Sequence, residues 1–278
     1  MWPENENKDV LFHQPAIMQG GASMRQQIIE ALKERYLEDT RVYALWLEGS
    51  DGLGRSDQYS DLDIWMDVED GREEAILDEC EELLSGLAPL DLTDHCHHPH
   101  PKIFQRNFHL AGTSPYLMVD LCIQSHSRGR EGCTFMEGDV AEFPLILFDK
   151  AQVIAIIPAP DPHWREIGEV YRNLQNVFQQ RSRAVKYIRR NQFIEASAYF
   201  DKYVRQPLLT MARLLYTPHH HEYGPVHISV HLPGELVTEL ERLYSIASIK
   251  DIENRMAVAE QLYQDLCTQL DEMLSGKE

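Results

Sequence analysis

The sequence predicts an α/β domain built on a mixed sheet, followed by an all-α helical bundle. Three observations lead there. Residues 22–157 alternate helical and strand-like hydrophobic patterns. The cluster Pro158-Ala159-Pro160-Asp161-Pro162 then interrupts the chain, and proline disfavours the interiors of both helices and strands. Beyond it the apolar spacing is helical almost to the end. At about 150 residues per domain, 278 residues suit two domains, and 43% hydrophobic residues suffice for two cores. The expected division is a lead-in over 1–20, a first domain over 21–157, a linker over 158–162 and the bundle over 163–278.

The elements follow in order. Met24, Ile28, Ile29, Leu32 and Tyr36 fall on one face of a helix over 22–37. Residues 42–47 form a short apolar strand that runs into Glu48-Gly49-Ser50. Over 62–68, Leu62, Ile64, Met66 and Val68 alternate with Asp63, Trp65 and Asp67, the period of a strand with one buried face. Residues 72–86 read as an acidic amphipathic helix. Strands are expected over 90–96, 103–110 and 116–123, the last two as a hairpin turned by 112–115. Apolar runs at 145–148 and 152–157 close the domain. Four helices, at about 164–190, 193–216, 234–247 and 251–274, make up the bundle. Residues 218–233 are its one long irregular stretch.

The formal net charge is −19, from 45 acidic and 26 basic residues. Residues 1–160 hold 29 of the acids and 12 of the bases, so nearly all the excess sits in the first domain. Such a balance argues against gripping a nucleic-acid backbone, which needs cations to neutralise phosphates. It suits a cationic small molecule or sites for divalent metals. Cys80, Cys96, Cys122, Cys133 and Cys267 are widely spaced without a CxxC pair, as expected of free thiols in a reducing cytosol. The polar N-terminus does not read as a signal peptide. No apolar run approaches the ~20 residues that cross a bilayer. A cytoplasmic location is expected.

The chemistry concentrates in Leu47-Glu48-Gly49-Ser50-Asp51-Gly52-Leu53-Gly54 and the Asp57 to Trp65 segment that follows. A strand ends at Gly49-Ser50, where glycine permits close approach of a ligand to the backbone. Ser50 and the N–H groups after it are placed to face a phosphate. Asp61 and Asp63 then lead into the next strand, two apart and so on one face. Two such carboxylates repel unless a cation lies between them. Magnesium prefers one or two carboxylates completed by substrate phosphates.

The pattern Gly49-Ser50, a ten-residue gap, then Asp61-Leu62-Asp63 resembles the nucleotidyltransferase superfamily to which DNA polymerase beta belongs. It is closest in type to the aminoglycoside and lincosamide nucleotidyltransferases. The extended motif adds Gly54, Asp57 and Ser60, with Gly52 standing where alanine is common. The resemblance implies a third carboxylate on a later strand, and Asp120 within 116–123 is the candidate, as metal ligand, general base or both. It implies Asp61, Asp63 and Asp120 around two Mg²⁺ ions about 3.5–4 Å apart, with ATP or another NTP as substrate. Gly49, Ser50, Asp57 and Ser60 would lie at the nucleotide. Leu147-Phe148-Asp149-Lys150 also resembles a recurrent feature of these enzymes, with Lys150 either reaching the triphosphate or solvated at a strand end. The bundle resembles their C-terminal domain in type, and the acceptor would lie between the domains.

Other clusters carry less. Gly49-x4-Gly54-Arg55-Ser56 nearly spells a P-loop, but Arg55 replaces the lysine and Ser60-Asp61-Leu62-Asp63 goes unexplained. His95, His97, His98 and His100 invite a zinc site, although Pro99 and Pro101 break the segment and no matching group appears at finger-like spacing. His219, His220 and His221 read as solvated. Arg181, Arg183, Lys186, Arg189 and Arg190 form a basic run, and Tyr199, Lys202 and Tyr203 share a helix face that could wall the acceptor.

The expected activity is transfer of a nucleoside monophosphate, AMP from Mg-ATP, to a hydroxyl of a small molecule such as an aminoglycoside, with nucleic acid and membrane not engaged. The rivals are a nucleotidyltransferase of toxin–antitoxin type acting on protein or RNA, and a non-catalytic nucleotide-binding module.

Overall fold

The computed structural model describes residues 23–275 and Lys277, so the expected lead-in over 1–20 lies outside the described residues. The chain divides into two compact units between Ala159 and Pro160, inside the proline cluster.

In the first unit, helix α1 (Met24–Tyr36) starts where Ser23 and Gln26 form a capping box, each side chain bonding the other's backbone amide. Strand β1 (Val42–Leu47), the four-residue helix α2 (Gly49–Gly52), β2 (Leu62–Val68) and α3 (Glu73–Leu87) follow. Then come β3 (Leu90–Cys96), β4 (Ile103–Leu110) and β5 (Met118–Ser125). Six strands form one mixed sheet in the order β3-β4-β5-β2-β1-β7, with β7 at Leu145–Asp149. Within this sheet only β2 and β5 pair in parallel. The connection between them runs through α3 and the β3–β4 pair, which is long enough to return the chain in the same direction. Because β1 and β2 are antiparallel, the segment between them is not a P-loop, which requires a strand–loop–helix crossover.

One face of the sheet packs on α1 and α3. Ile28, Leu32 and Tyr36 of α1 and Ile76, Leu77, Cys80 and Leu84 of α3 meet Leu45, Leu47, Leu62, Ile64, Met66, Phe108, Val119, Leu121 and Ile123. The alternation in β2 decides this: its even-numbered apolar residues face the helices, and Asp63 and Trp65 face the other way. Arg106 lies on the helix side, 4% exposed. Its guanidinium reaches Glu74, Asp78 and Glu81 of α3 at 3.0, 2.8 and 2.9 Å.

The apolar run at 152–157 is only partly a strand. Gln152 takes a left-handed φ of 55°. The amides of Val153 and Ile154 are taken by the Asp149 carboxylate at 2.9 Å each, so neither can join a ladder. Pairing is confined to β8 (Ala155–Ile157), which runs parallel to β6 (Thr134–Met136), a strand the sequence pattern does not announce.

The second unit is all helical. The expected helix over 164–190 is two, α4 (Trp164–Gln179) and α5 (Ser182–Arg189). At their junction Arg181 turns away to pair with Glu260 at 2.7 and 2.8 Å. The stretch over 193–216 is α6 (Phe193–Phe200) and α7 (Gln206–Tyr216), joined by a π turn over Asp201–Arg205. Pro207 lies just beyond that turn. A proline ring collides with the carbonyl four residues back in a regular helix, and the wider turn relieves this. The expected irregular stretch over 218–233 contains a 3₁₀ helix (Pro218–Tyr223) and α8 (Ile228–His231). It is organised by Arg213, fully buried, which donates to the carbonyl of Gly224 at 2.5 Å and to that of Val226. His220 is buried there and His219 and His221 are half-buried, so the three histidines are not the solvated run expected. α9 (Gly234–Tyr244) and α10 (Ile249–Leu274) complete the unit around Phe178, Phe200, Val204, Leu208, Leu214, Leu243, Leu262 and Leu266.

Lys150 has a structural position. Its Nζ donates to the carbonyls of Tyr36, Leu37 and Asp39 at 3.2, 3.1 and 2.7 Å, closing the C-terminal end of α1 where free carbonyls favour a cation. The Lys150 amide bonds Tyr43 at the start of β1, whereas Gly49-Ser50 follow its end. Six residues of strand, roughly 20 Å at ~3.3 Å per residue, separate the two, so Lys150 is not brought to the expected phosphate cradle. Lys150→Met should lower stability by about 1 kcal/mol, read as a lower melting temperature, and leave nucleotide affinity unchanged.

Candidate active site

The carboxylates meet on the sheet face away from α1 and α3. Parallel register sets Asp63 of β2 opposite Asp120 of β5, and antiparallel register sets Asn107 of β4 opposite Asp120. Asp61 stands one residue ahead of β2 and is exposed. Burial pushes the Asp63 carboxyl up to about 6, aided by the negative charges of Asp61, Asp120 and Asp51 and partly offset by Arg25. No lysine or arginine among the described residues forms an ion pair with Asp61, Asp63 or Asp120. Asp120 is instead held by a neutral donor: Gln105 Nε2 lies 2.7 and 2.9 Å from its two oxygens.

Gly49 belongs to this arrangement. Its φ is +56°, and a Cβ built there would overlap the Asp63 carboxylate. Only glycine allows the backbone to turn left-handed this close to the carboxylate. Ser50 follows, its Oγ buried with no hydrogen-bond partner; such a group calls for one from outside the protein chain. At Gly52 a Cβ would collide with the Phe143 carbonyl. This is why this chain carries glycine where the resemblance leads one to expect alanine.

Three residues outside the motif shape the site. Arg25 of α1 donates to the carbonyls of Ser60 and Asp61 at 2.5 and 2.6 Å and pairs with Asp51, tying α2 to the approach to β2. Glu48 accepts from the Trp46 indole at 2.7 Å, and its amide donates to the Asp63 carbonyl at 3.0 Å. Burial raises its carboxyl to about 7 despite the indole, with Glu142 and Asp63 adding to the rise. Gln105 is the third. An acid at the end of an apolar strand and a polar residue at alternating positions in β4 were visible signals for Glu48 and Gln105. Arg25 had none, because its partners lie 26 to 36 residues away.

Asp57 and Ser60 are used locally. The Asp57 carboxylate accepts from Tyr59 N at 2.8 Å and the Ser60 hydroxyl at 3.2 Å, and Ser60 Oγ accepts from Asp57 N at 3.0 Å. These bonds fix the turn that delivers Asp61. In the histidine cluster, His98 accepts from the His100 amide and His100 from the Lys102 amide, at 3.0 and 3.1 Å, which builds a turn.

Among the described residues no three or more His, Cys, Asp or Glu side chains are preassembled to hold a metal ion. The donor set still fits magnesium. That ion is commonly bound by one or two carboxylates and completed by substrate phosphates and water. A repelling carboxylate pair without a protein cation, beside an unpartnered serine hydroxyl, suits an ion that arrives with a phosphate ligand.

The mixed sheet, the glycine-serine turn and the paired aspartates define a nucleotidyltransferase-type domain followed by a helical unit. The family model for streptomycin adenylyltransferase matches residues 118–277, more than half of the chain, and the chain belongs to that family. The match includes Asp120 and begins after Asp63. An aminoglycoside 6-adenyltransferase from Bacillus subtilis is similar over 91% of this chain and 92% of its own, at 15% identity and a TM-score of 0.39. A nucleotidyltransferase-like protein from Exiguobacterium sibiricum 255-15 is similar over 91% of this chain and 78% of its own, at 12% identity and a TM-score of 0.32. No curated protein sequence matches. No helix among the described residues is long and apolar enough to cross a membrane.

The raised Asp63 carboxyl makes stability depend on pH. A carboxyl whose folded pKa lies above its unfolded value adds stability below the unfolded pKa and loses it as pH rises through the folded one. From about pH 4 to pH 7 the ligand-free protein should therefore lose up to about 3 kcal/mol on account of Asp63. Asp63→Asn should be more stable than the parent at pH 8 and lack this advantage at pH 4, measured by denaturant unfolding at both pH values. Gly49→Ala should lower stability by about 1–2 kcal/mol from the left-handed φ alone and weaken nucleotide binding by displacing Asp63, measured by calorimetry.

Proposed function

We propose that this chain transfers AMP from Mg-ATP to a hydroxyl of a small cationic acceptor of the aminoglycoside type. Asp63 opposite Asp120, beside Gly49 and the unpartnered Ser50 hydroxyl, is the observation that carries this reading. Family membership supports the nucleoside triphosphate and the divalent metal. The acidity of the first 160 residues supports a cationic acceptor.

In this reading Ser50 donates its hydroxyl to a phosphate oxygen, and Gly49 lets the triphosphate lie against the backbone. Asp61, Asp63 and Asp120 hold two Mg²⁺ ions. The ions supply charge neutralisation of the leaving pyrophosphate and acidify the acceptor hydroxyl. The acceptor oxygen forms a bond to the α-phosphorus while the bond from that phosphorus to the bridging oxygen breaks and pyrophosphate leaves. The acceptor proton passes to the carboxylate of Asp120. Arg25 keeps Asp61 in place through its backbone carbonyl.

The test is to incubate the protein with labelled NTPs and Mg²⁺ in the presence of aminoglycosides, lincosamides or cell extract. Label on an aminoglycoside, with ATP preferred, is expected; label in a protein band, or ATP binding without pyrophosphate release under any condition, would replace this reading. Asp63→Asn should cut the rate at least about 10²-fold, since several kcal/mol of charge stabilisation are lost at 1.36 kcal/mol per tenfold, while the variant keeps its fold by circular dichroism.

A further inference from the structure

We propose that Gln105 is a positioning residue that sets the Asp120 carboxylate for metal by holding it with a neutral donor. The inference rests on the reading that Asp120 is a metal ligand. It is distinct in assigning a role to a side chain on β4, outside the glycine-serine and aspartate segment altogether.

Gln105 pairs across the ladder with Cys122 on one side and Cys96 on the other, two residues along from the Asn107–Asp120 pair. Its side chain therefore lies on the same sheet face as Asp120, diagonal to it, at the distance a long side chain can bridge. The bridge is made by one amide nitrogen at 2.7 and 2.9 Å from the two carboxylate oxygens. A second weak donor, Cys122 Sγ, approaches Oδ1 at 3.7 Å. As a donor it is a thiol and brings no charge to the carboxylate. On every described contact, then, Asp120 is met by an uncharged donor.

That choice has a consequence. The first 160 residues contain 12 lysines and arginines, and the neighbouring β4 residue Arg106 is directed to the opposite face, onto three acids of α3. A guanidinium or ammonium at position 105 would relieve the Asp63–Asp120 repulsion and strengthen the ligand-free fold. It would also neutralise the field that attracts a divalent cation. A glutamine fixes the rotamer of Asp120 and leaves its charge, and each oxygen retains a lone pair for a metal because a carboxylate offers about four acceptor sites. Partners of this kind orient ligands and tune metal affinity by 10–100-fold.

The experiment measures Mn²⁺ binding by electron paramagnetic resonance in the presence of a non-hydrolysable ATP analogue, with thermal melting alongside. Gln105→Leu should remain folded and bind Mn²⁺ roughly 10–100-fold more weakly. Gln105→Lys should melt at or above the parental temperature without nucleotide and lose Mn²⁺ binding further. That opposition of stability and metal affinity would not arise from a merely structural role. Parental Mn²⁺ affinity in folded Gln105→Leu, with strong binding by the parent, would overturn the role of Gln105 while leaving the transferase reading intact. Absence of nucleotide-dependent Mn²⁺ binding in the parent itself would overturn both.

Discussion

Two like charges held in register on adjacent parallel strands are the constraint around which the first unit is organised. Asp63 and Asp120 are opposed because Leu62, Ile64 and Met66 on one strand and Val119, Leu121 and Ile123 on the other share the core beneath α1 and α3. A slip by one residue would send these apolar side chains to the open face and the carboxylates into the core. The hydrophobic face therefore enforces an electrostatic arrangement that would not form by itself. Its unfavourable component appears in the raised carboxyl of Asp63, and the stability that offsets it comes from burial elsewhere in the unit.

The distribution of cations maintains that arrangement. Arg41 is bound to Asp39 and Glu79, Arg35 to the same two acids, and Arg106 to Glu74, Asp78 and Glu81. Lys150 caps α1, and Arg128 donates to Gln124. Arg25, at the approach to β2, directs its donors to Asp51 and two backbone carbonyls. The acidic excess of the first 160 residues, 29 acids against 12 bases, is thus two different things in one unit. Part is acid paired with arginine at the helix α1–α3 side. Part is acid without a lysine or arginine ion pair at the sheet face that carries Asp63 and Asp120.

Much of this was legible along the chain. The alternation in β2 announced both its buried face and its aspartates, and the glycine-serine turn announced the end of β1. Asp120 stood out as a charge in an apolar strand. The neighbours that tune the site were less visible. Gln105 is an ordinary polar residue until β4 is laid beside β5, and Arg25 is an ordinary helix cation until α1 docks near the 50–61 segment. Lys150 illustrates the reverse: a lysine at a strand end reads equally as a phosphate contact or a solvated side chain until the antiparallel β1–β7 pairing carries it to the C-terminus of α1. In the helical unit, Pro207 marked a disturbance within 193–216, but only the packed structure turned it into a π turn rather than a break.

The sequence by itself determined most of the element types, the buried face of β2, the family motif and the aspartates on which the proposed chemistry rests, because periodicity and turn residues are encoded within a few positions of one another. Only the tertiary structure decided which charges remain unpaired, which donors hold them and which lysine lies out of reach. Those outcomes depend on strand order and register between segments tens of residues apart, and electrostatic energy depends on distance in space rather than along the chain.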